Sequence, residues 1–234
     1  MGALRPSRSA TQSRPLSQSS VLTSAQDAFA CGSFCEHVKA KELHLRATAA
    51  QRPTSAQLEA ALRKRVPDVI APGLRILFCG INPGLYSAAA GHHFAGPNNR
   101  FWPTLRAAGF TPSLLRPEDE TELLSLGFGI TNLVPRTTPK AEILSKRALL
   151  LGASRLIRKT LVFQPRILAV LGLGAYRTAF DDPSAVVGRQ PRTLGATHVW
   201  LLPNPSGLNA QHSDAELVRL FRSLRRFERR LQHP

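Results

Sequence analysis

Cysteine is scarce in this chain. Three residues in 234 cannot close a disulfide framework, and they fall one short of the four thiolates that an iron–sulfur cluster takes. Such usage points to a reducing compartment, so a cytoplasmic protein is expected, nucleoid-associated if the cell is bacterial. Cys31, Cys35, His37 and His44 lie close in sequence, but their spacing fits no strong zinc pattern. His92 and His93 are adjacent, point in different directions and have no accompanying carboxylate. No metal and no cofactor are expected. Long apolar runs are missing too: none would serve as a signal-peptide core or a membrane span, and no membrane partner is expected. The chain has no Walker phosphate loop. Gly172-Leu173-Gly174 opens like a dinucleotide fingerprint, but Arg177 stands where the third glycine belongs.

Acid is the other deficit, with 15 Asp and Glu against 31 Lys and Arg, a net charge of +16. Such an excess suits a polyanionic partner, nucleic acid first, although an arginine-rich genome composition produces it as well. Before Asp27 there is no acidic residue at all, and the first 54 residues are rich in Ser, Thr, Ala, Gln and Arg. That composition predicts a disordered basic extension; an organelle transit peptide and a misassigned start are the alternatives. A short linking helix is expected over residues 55–66, with Ser55 as its cap and Pro67 near its end. One folded domain is expected over residues 67–231.

What the chain does have is alternation. Ile76-Leu77-Phe78-Cys79 ends in Gly80-Ile81-Asn82-Pro83-Gly84, a buried strand that delivers an amide side chain to its own carboxyl end. Further strands are predicted over 128–134, 167–171 and 198–202, the second of these uniformly apolar as buried parallel strands are. Between them lie helical patterns: 99–108 with Phe101, Trp102 and Leu105 inward; a segment started by Pro117 and closed by Gly127; and a helix capped by Ser145 with Leu149, Ala153, Leu156, Ile157 and Leu161 on one face. The last helix opens on a Ser213/Glu216 capping box; Leu217, Leu220, Phe221, Leu224 and Leu231 face inward, and Arg219, Arg222, Arg226 and Arg230 form a solvated outer face. The expected class is α/β, three layers α/β/α around a mainly parallel four-stranded central sheet. In such sheets ligands bind beyond the carboxyl ends of the strands, which is where Asn82 stands.

A second turn has the same grammar. Residues 198–202 run into Pro203-Asn204-Pro205-Ser206-Gly207-Leu208-Asn209. Taken in order, GINPG, HFAGPNNRFW and LPNPSGL resemble the mismatch-specific uracil/thymine DNA glycosylases of the uracil-DNA glycosylase superfamily, over roughly residues 67–231. The resemblance implies that this stretch is a catalytic domain initiating base-excision repair, a monomer acting on double-stranded DNA with a G-U or G-T mismatch. The scarcity of cysteine sets it apart from the iron–sulfur branches of that superfamily. By resemblance, Asn82 positions the hydrolytic water, and Phe94 stacks on a base flipped out of the duplex; from spacing alone Phe94 reads equally well as core. Gly80, Ile81, Ser87 and Asn204 line the base pocket. The small Ser87 leaves room for thymine or for modified pyrimidines such as etheno-cytosine. Gly207, Leu208 and Asn209 match the wedge that fills the vacated stack and meets the widowed guanine.

An amide orients water but hardly takes its proton at neutral pH. Glu142 is therefore a second catalytic candidate, on the segment 135–142 predicted to pass over the crevice; the plain alternative is a solvated acid ahead of a helix. Two other functions remain: a non-catalytic mismatch- or DNA-binding module of the same fold, and an enzyme of free nucleosides.

Overall fold

In a computed structural model of the chain, residues 52–207 and 211–232 are described. The expectations for the N-terminal extension up to residue 51, and for Leu208 and Asn209, lie outside those residues. Thr54, not Ser55, caps the first helix. Its hydroxyl accepts from the Gln57 N–H and the Gln57 side chain returns the bond. That helix, α1 (Ser55–Ala60), tightens into a 3₁₀ turn at Ala61–Arg63.

The chain then enters β1 (Ile76–Gly80), followed by α2 (Leu85–Ala90), α3 (Phe101–Ala107), a short α4 (Glu122–Ser125) and β2 (Phe128–Asn132). A long α5 (Lys146–Phe163) leads to β3 (Ile167–Leu171), α6 (Leu173–Ala179), β4 (Gly188–Leu194), β5 (Thr197–Leu202) and the terminal α7 (Asp214–Arg230). The sheet has five strands in the order β2-β1-β3-β5-β4, where four were expected. The additional one, β4, is antiparallel to β5 and joined to it by a two-residue turn, since Leu194 pairs with Thr197. Its sequence, Gly-Arg-Gln-Pro-Arg-Thr-Leu, hides it: polar residues dominate, and Pro191 is tolerated only because an edge strand has one side unpaired. The remaining pairings are parallel, as the apolar runs implied.

Side chains alternate across the pleat and build two cores. Ile76, Phe78, Phe128 and Ile130 pack under α3 and α7 through Phe101, Leu105, Phe221 and Leu224. Leu77, Cys79, Leu168 and Val170 face α5 and α6 through Leu149, Leu156 and Tyr176. One expectation needs correction, and one buried acid was not foreseen. Leu161 on α5 stands 49% exposed rather than inward. On α7, Glu228 is buried at 1% exposure between two arginines, an acid that an amphipathic reading leaves in water. Among the described residues no helix is long and apolar enough to cross a membrane.

Candidate active site

The carboxyl ends of β1, β2 and β5 open into one cavity of about 410 Å³, to which the GINPG, HFAGPNNRFW and LPNPSGL segments all contribute walls. Past the end of β1 the pairing does not stop. The Leu133 and Val134 N–H groups donate to Gly80 O and Ile81 O at 2.9 Å, and the Thr138 N–H to Pro83 O at 3.3 Å. The segment after β2 is thereby laid along the Asn82 turn.

That contact fixes Asn82. Its Nδ2 donates to Thr138 Oγ1 at 2.7 Å, to Pro83 O at 3.0 Å and to Arg136 O at 3.4 Å. The Thr138 hydroxyl spends its own proton on Lys140 O at 2.8 Å, so only its lone pairs can face Asn82. With the nitrogen committed to the loop, Oδ1 is the end of the amide left for the cavity. Thr138 was not singled out from sequence.

Phe94 lines the same cavity and stacks on Phe101, with ring centroids 4.0 Å apart. Its φ of 54° lies in the left-handed region, an uncommon and costly choice for a bulky residue, and such strain tends to mark functional positions. Two bonds hold the loop there: the Ala95 N–H donates to Ser87 Oγ at 3.1 Å, and Trp102 Nε1–H donates to His93 O at 3.2 Å. Ser87 is a wall of the cavity that also anchors the loop carrying Phe94.

Gly80, expected to line the pocket, stands behind Asn132 and Phe94 and is not among the lining residues. A Cβ there would come within 2.7 Å of Asn132 Oδ1 and 3.2 Å of the tip of the Phe94 ring, so only glycine lets the two approach. Asn132 ends β2 one strand over from Asn82 and was read as part of a strand; the signal was there, a polar amide closing an apolar run. Its Nδ2 lies 3.2 Å from His93 Nδ1. His93 is 2% exposed, and burial pushes its pKa below the usual histidine value, against the opposing pull of the Glu120 carboxylate.

Ile81 and Asn204 also line the cavity, and Asn204 Oδ1 accepts the Ser206 N–H at 3.1 Å, shaping its own turn. Gly207 abuts the Asn98 loop so closely that a Cβ would sit 2.5 Å from Asn98 O. Arg100 ties the two motifs together. Its N–H donates to Pro205 O at 2.9 Å, and its guanidinium reaches His212 O at 2.7 Å and Asp214 Oδ1 at 3.1 Å, so it grips the chain on both sides of residues 208–210.

Glu142 is not brought to this group. It is exposed, in a 3₁₀ turn at Ala141–Ile143, and lines a neighbouring cavity of about 680 Å³ instead of the one that Asn82 lines. Among the described residues no cluster of His, Cys, Asp and Glu is placed to hold a metal ion. The exposed cations Arg136 and Lys140 stand beside the Asn82 cavity.

A strand-end amide with its nitrogen tied back, an aromatic ring and a clamped turn thus line one cavity. Residues 67–229 match the family model described as the uracil DNA glycosylase superfamily. That span is well over half of the 234-residue chain and contains every element of the cavity except Leu58, and the chain belongs to the uracil DNA glycosylase superfamily.

Proposed function

We propose that the protein is a monofunctional DNA glycosylase that removes uracil paired with guanine, and thymine or modified pyrimidines more slowly, acting as a monomer at the first step of base-excision repair. Membership of the superfamily carries the general activity, hydrolytic base removal from DNA. The mismatch preference rests on the resemblance of Gly207-Leu208-Asn209 to the family's wedge. The observation that carries the hydrolytic role is the fixed Asn82 amide. An acceptor oxygen held in place beside a stacking ring can orient one water at the anomeric carbon of a flipped nucleotide.

In that step the water oxygen bonds to the sugar carbon while the glycosidic C–N bond breaks, leaving its electron pair on uracil. The water proton passes to the departing base or to solvent. Since Asn82 is no base, the rate depends on stabilising the uracil anion, which N–H donors around the pocket would supply. Cytosine leaves less readily and is spared. Lys140 and Arg136 would meet the phosphates on either side of the flipped nucleotide. Leu208 would fill the vacated stack, with backbone groups of Gly207 and Asn209 facing guanine. Single-turnover release of uracil from a U·G duplex tests this function. Tight binding without release would favour the non-catalytic binding module.

Phe94→Ala is expected to lower excision efficiency by about ten- to a hundredfold, in line with roughly 1–3 kcal/mol for stacking a base on an aromatic ring. The fold should survive, because Phe101 keeps its other partners Phe78 and Trp102. A variant that failed to fold would assign Phe94 to the core alone.

Arg100→Ala should loosen both flanks of the wedge turn. Excision from duplex is expected to fall by about tenfold or more, and excision from single strands to change little, because only a duplex has a stack to refill. The same contrast is expected for Leu208→Ala. Equal losses on both substrates would remove the wedge from the mechanism.

A further inference from the structure

The cavity that holds Asn82 has one wall from outside the span that matches the family model. Leu58 lines it, yet α1 ends before that span begins at residue 67. The helix is built to stay in place. Its capping box closes the first turn, and Ala61, three residues on from Leu58 and on the same face, is buried with Val66 against Ala88 of α2. Leu58 itself is half-buried, and among the described residues it belongs to none of the three apolar clusters. Its apolar surface is turned to the cavity and is not used to hold α1.

A hydrogen bond fastens the far end. Thr137, 3% exposed, donates its hydroxyl to Lys64 O at 2.8 Å. Its neighbour Thr138 accepts the Asn82 Nδ2–H at 2.7 Å. Two successive threonines on one loop thus hold the end of the α1 segment and the Asn82 amide. The α1 segment bridges the two walls of the cavity. On one side is α2, which contributes Leu85, Tyr86 and Ser87; on the other is the loop that contributes Thr138, Pro139 and Lys140.

We propose, resting on the glycosylase function above, that Leu58 is a specificity-determining residue. It closes the cavity between α2 and the loop of residues 135–140, and so limits the size of the base that the pocket accepts. On the α2 side the small Ser87 leaves room, and Leu58 bounds that room. A single pyrimidine ring needs only part of it, whereas a base with a fused second ring, such as etheno-cytosine, extends to the leucine. The same wall keeps bulk water from entering beside Asn82, where one oriented water is needed. Thr137 is the positioning residue for this wall, because it ties the α1 segment to the loop. An apolar wall discriminates by shape, and a change of one methylene in such a pocket moves relative rates by about tenfold or more. Leu58 therefore governs the choice between bases more than the chemistry on any one of them.

Single-turnover release of uracil and of etheno-cytosine, each opposite guanine, tests this on the full chain and its variants. Leu58→Ala should raise the ratio of etheno-cytosine to uracil release by about tenfold, and Leu58→Phe should lower it by a similar factor. Melting temperatures should stay within about 2 °C of the parent chain, since Leu58 supports no buried cluster. Thr137→Val keeps the side-chain shape but removes the donor to Lys64 O, and the ratio should move in the same direction as in Leu58→Ala. A displaced Asn82 would slow both substrates alike and leave the ratio unchanged, which separates the wall from the loop's hold on the amide. A ratio that neither rises in Leu58→Ala nor falls in Leu58→Phe would overturn the proposal. So would equal losses on both substrates with a lower melting temperature, which would make Leu58 a support of the fold. A parent-chain ratio in Thr137→Val would overturn the part given to Thr137. Release of neither base by the parent chain would overturn the glycosylase function itself, a result seen before any variant is made.

Discussion

Asn82→Ala is expected to lower single-turnover uracil release by about 10²–10³-fold, the scale on which a preorganised polar group or a misplaced reactant costs an enzyme rate. Duplex affinity should change by less than about twofold, because phosphate contacts dominate it. The size of the loss follows from how the amide is held. Three acceptors share Nδ2, and Thr138, the nearest at 2.7 Å, has its own proton committed to Lys140 O. Asn82 therefore has one orientation, and its oxygen needs no reorganisation when water arrives. Alanine removes the acceptor and leaves the rest of the pocket, so the residual rate measures leaving-group stabilisation alone. Release at the wild-type rate would show that another group holds the water. Glu142, facing the neighbouring cavity, would then be examined through Glu142→Gln in the Asn82→Ala background.

The second large effect is on stability and lies at the other edge of the sheet, where β1 begins. Arg75 reaches Glu228 Oε1 at 3.2 Å, while Arg225 and Gln232 close on the same carboxylate. Both guanidiniums also lie over the Phe128 ring, at 4.6 and 5.5 Å from its centroid. Glu228 is buried and both arginine side chains are mostly so. Glu228→Gln would leave two neighbouring cations without their shared anion. Removing one member of a buried ionic group costs about 3 kcal/mol, and for a domain of this size the melting temperature should fall by about 6–12 °C. Uracil release per folded molecule should be unchanged at low temperature, since the pocket is at the opposite strand ends. An unchanged melting temperature would mean that water reaches Glu228 freely and that the helix is held by Leu217, Phe221 and Leu224 alone.

Much of this architecture was legible because it is written in local signals. Apolar runs of four or five residues mark the parallel strands, Ser145 and Ser213 cap the helices they were expected to cap, and Asn82 shows itself by standing at the end of such a run. What escaped was non-local. β4 forms because β5 offers it a partner, not because Gly188–Leu194 favours extension by itself. α2 is only six residues long, and its clearest mark is Gly91 at φ 82°, a left-handed stop. Glu228 was not singled out, because one of the two arginines that enclose it comes from 153 residues away. In the site, Thr138, Asn132 and His93 act through bonds between segments that no spacing reveals. Glu142 was drawn in by its place on the right loop, yet the turn at Ala141–Ile143 directs it to the neighbouring cavity.

Base release under single turnover, compared across U·G, T·G and U·A duplexes and a single strand containing uracil, tests the central claim most directly. The proposed function leads us to expect fastest release from U·G, slower release from T·G and U·A, and the least from the single strand, where the proposed wedge would have nothing to fill. Equal release from all four would contradict a wedge that meets the widowed guanine, and binding of the U·G duplex with no release at all would contradict a glycosylase.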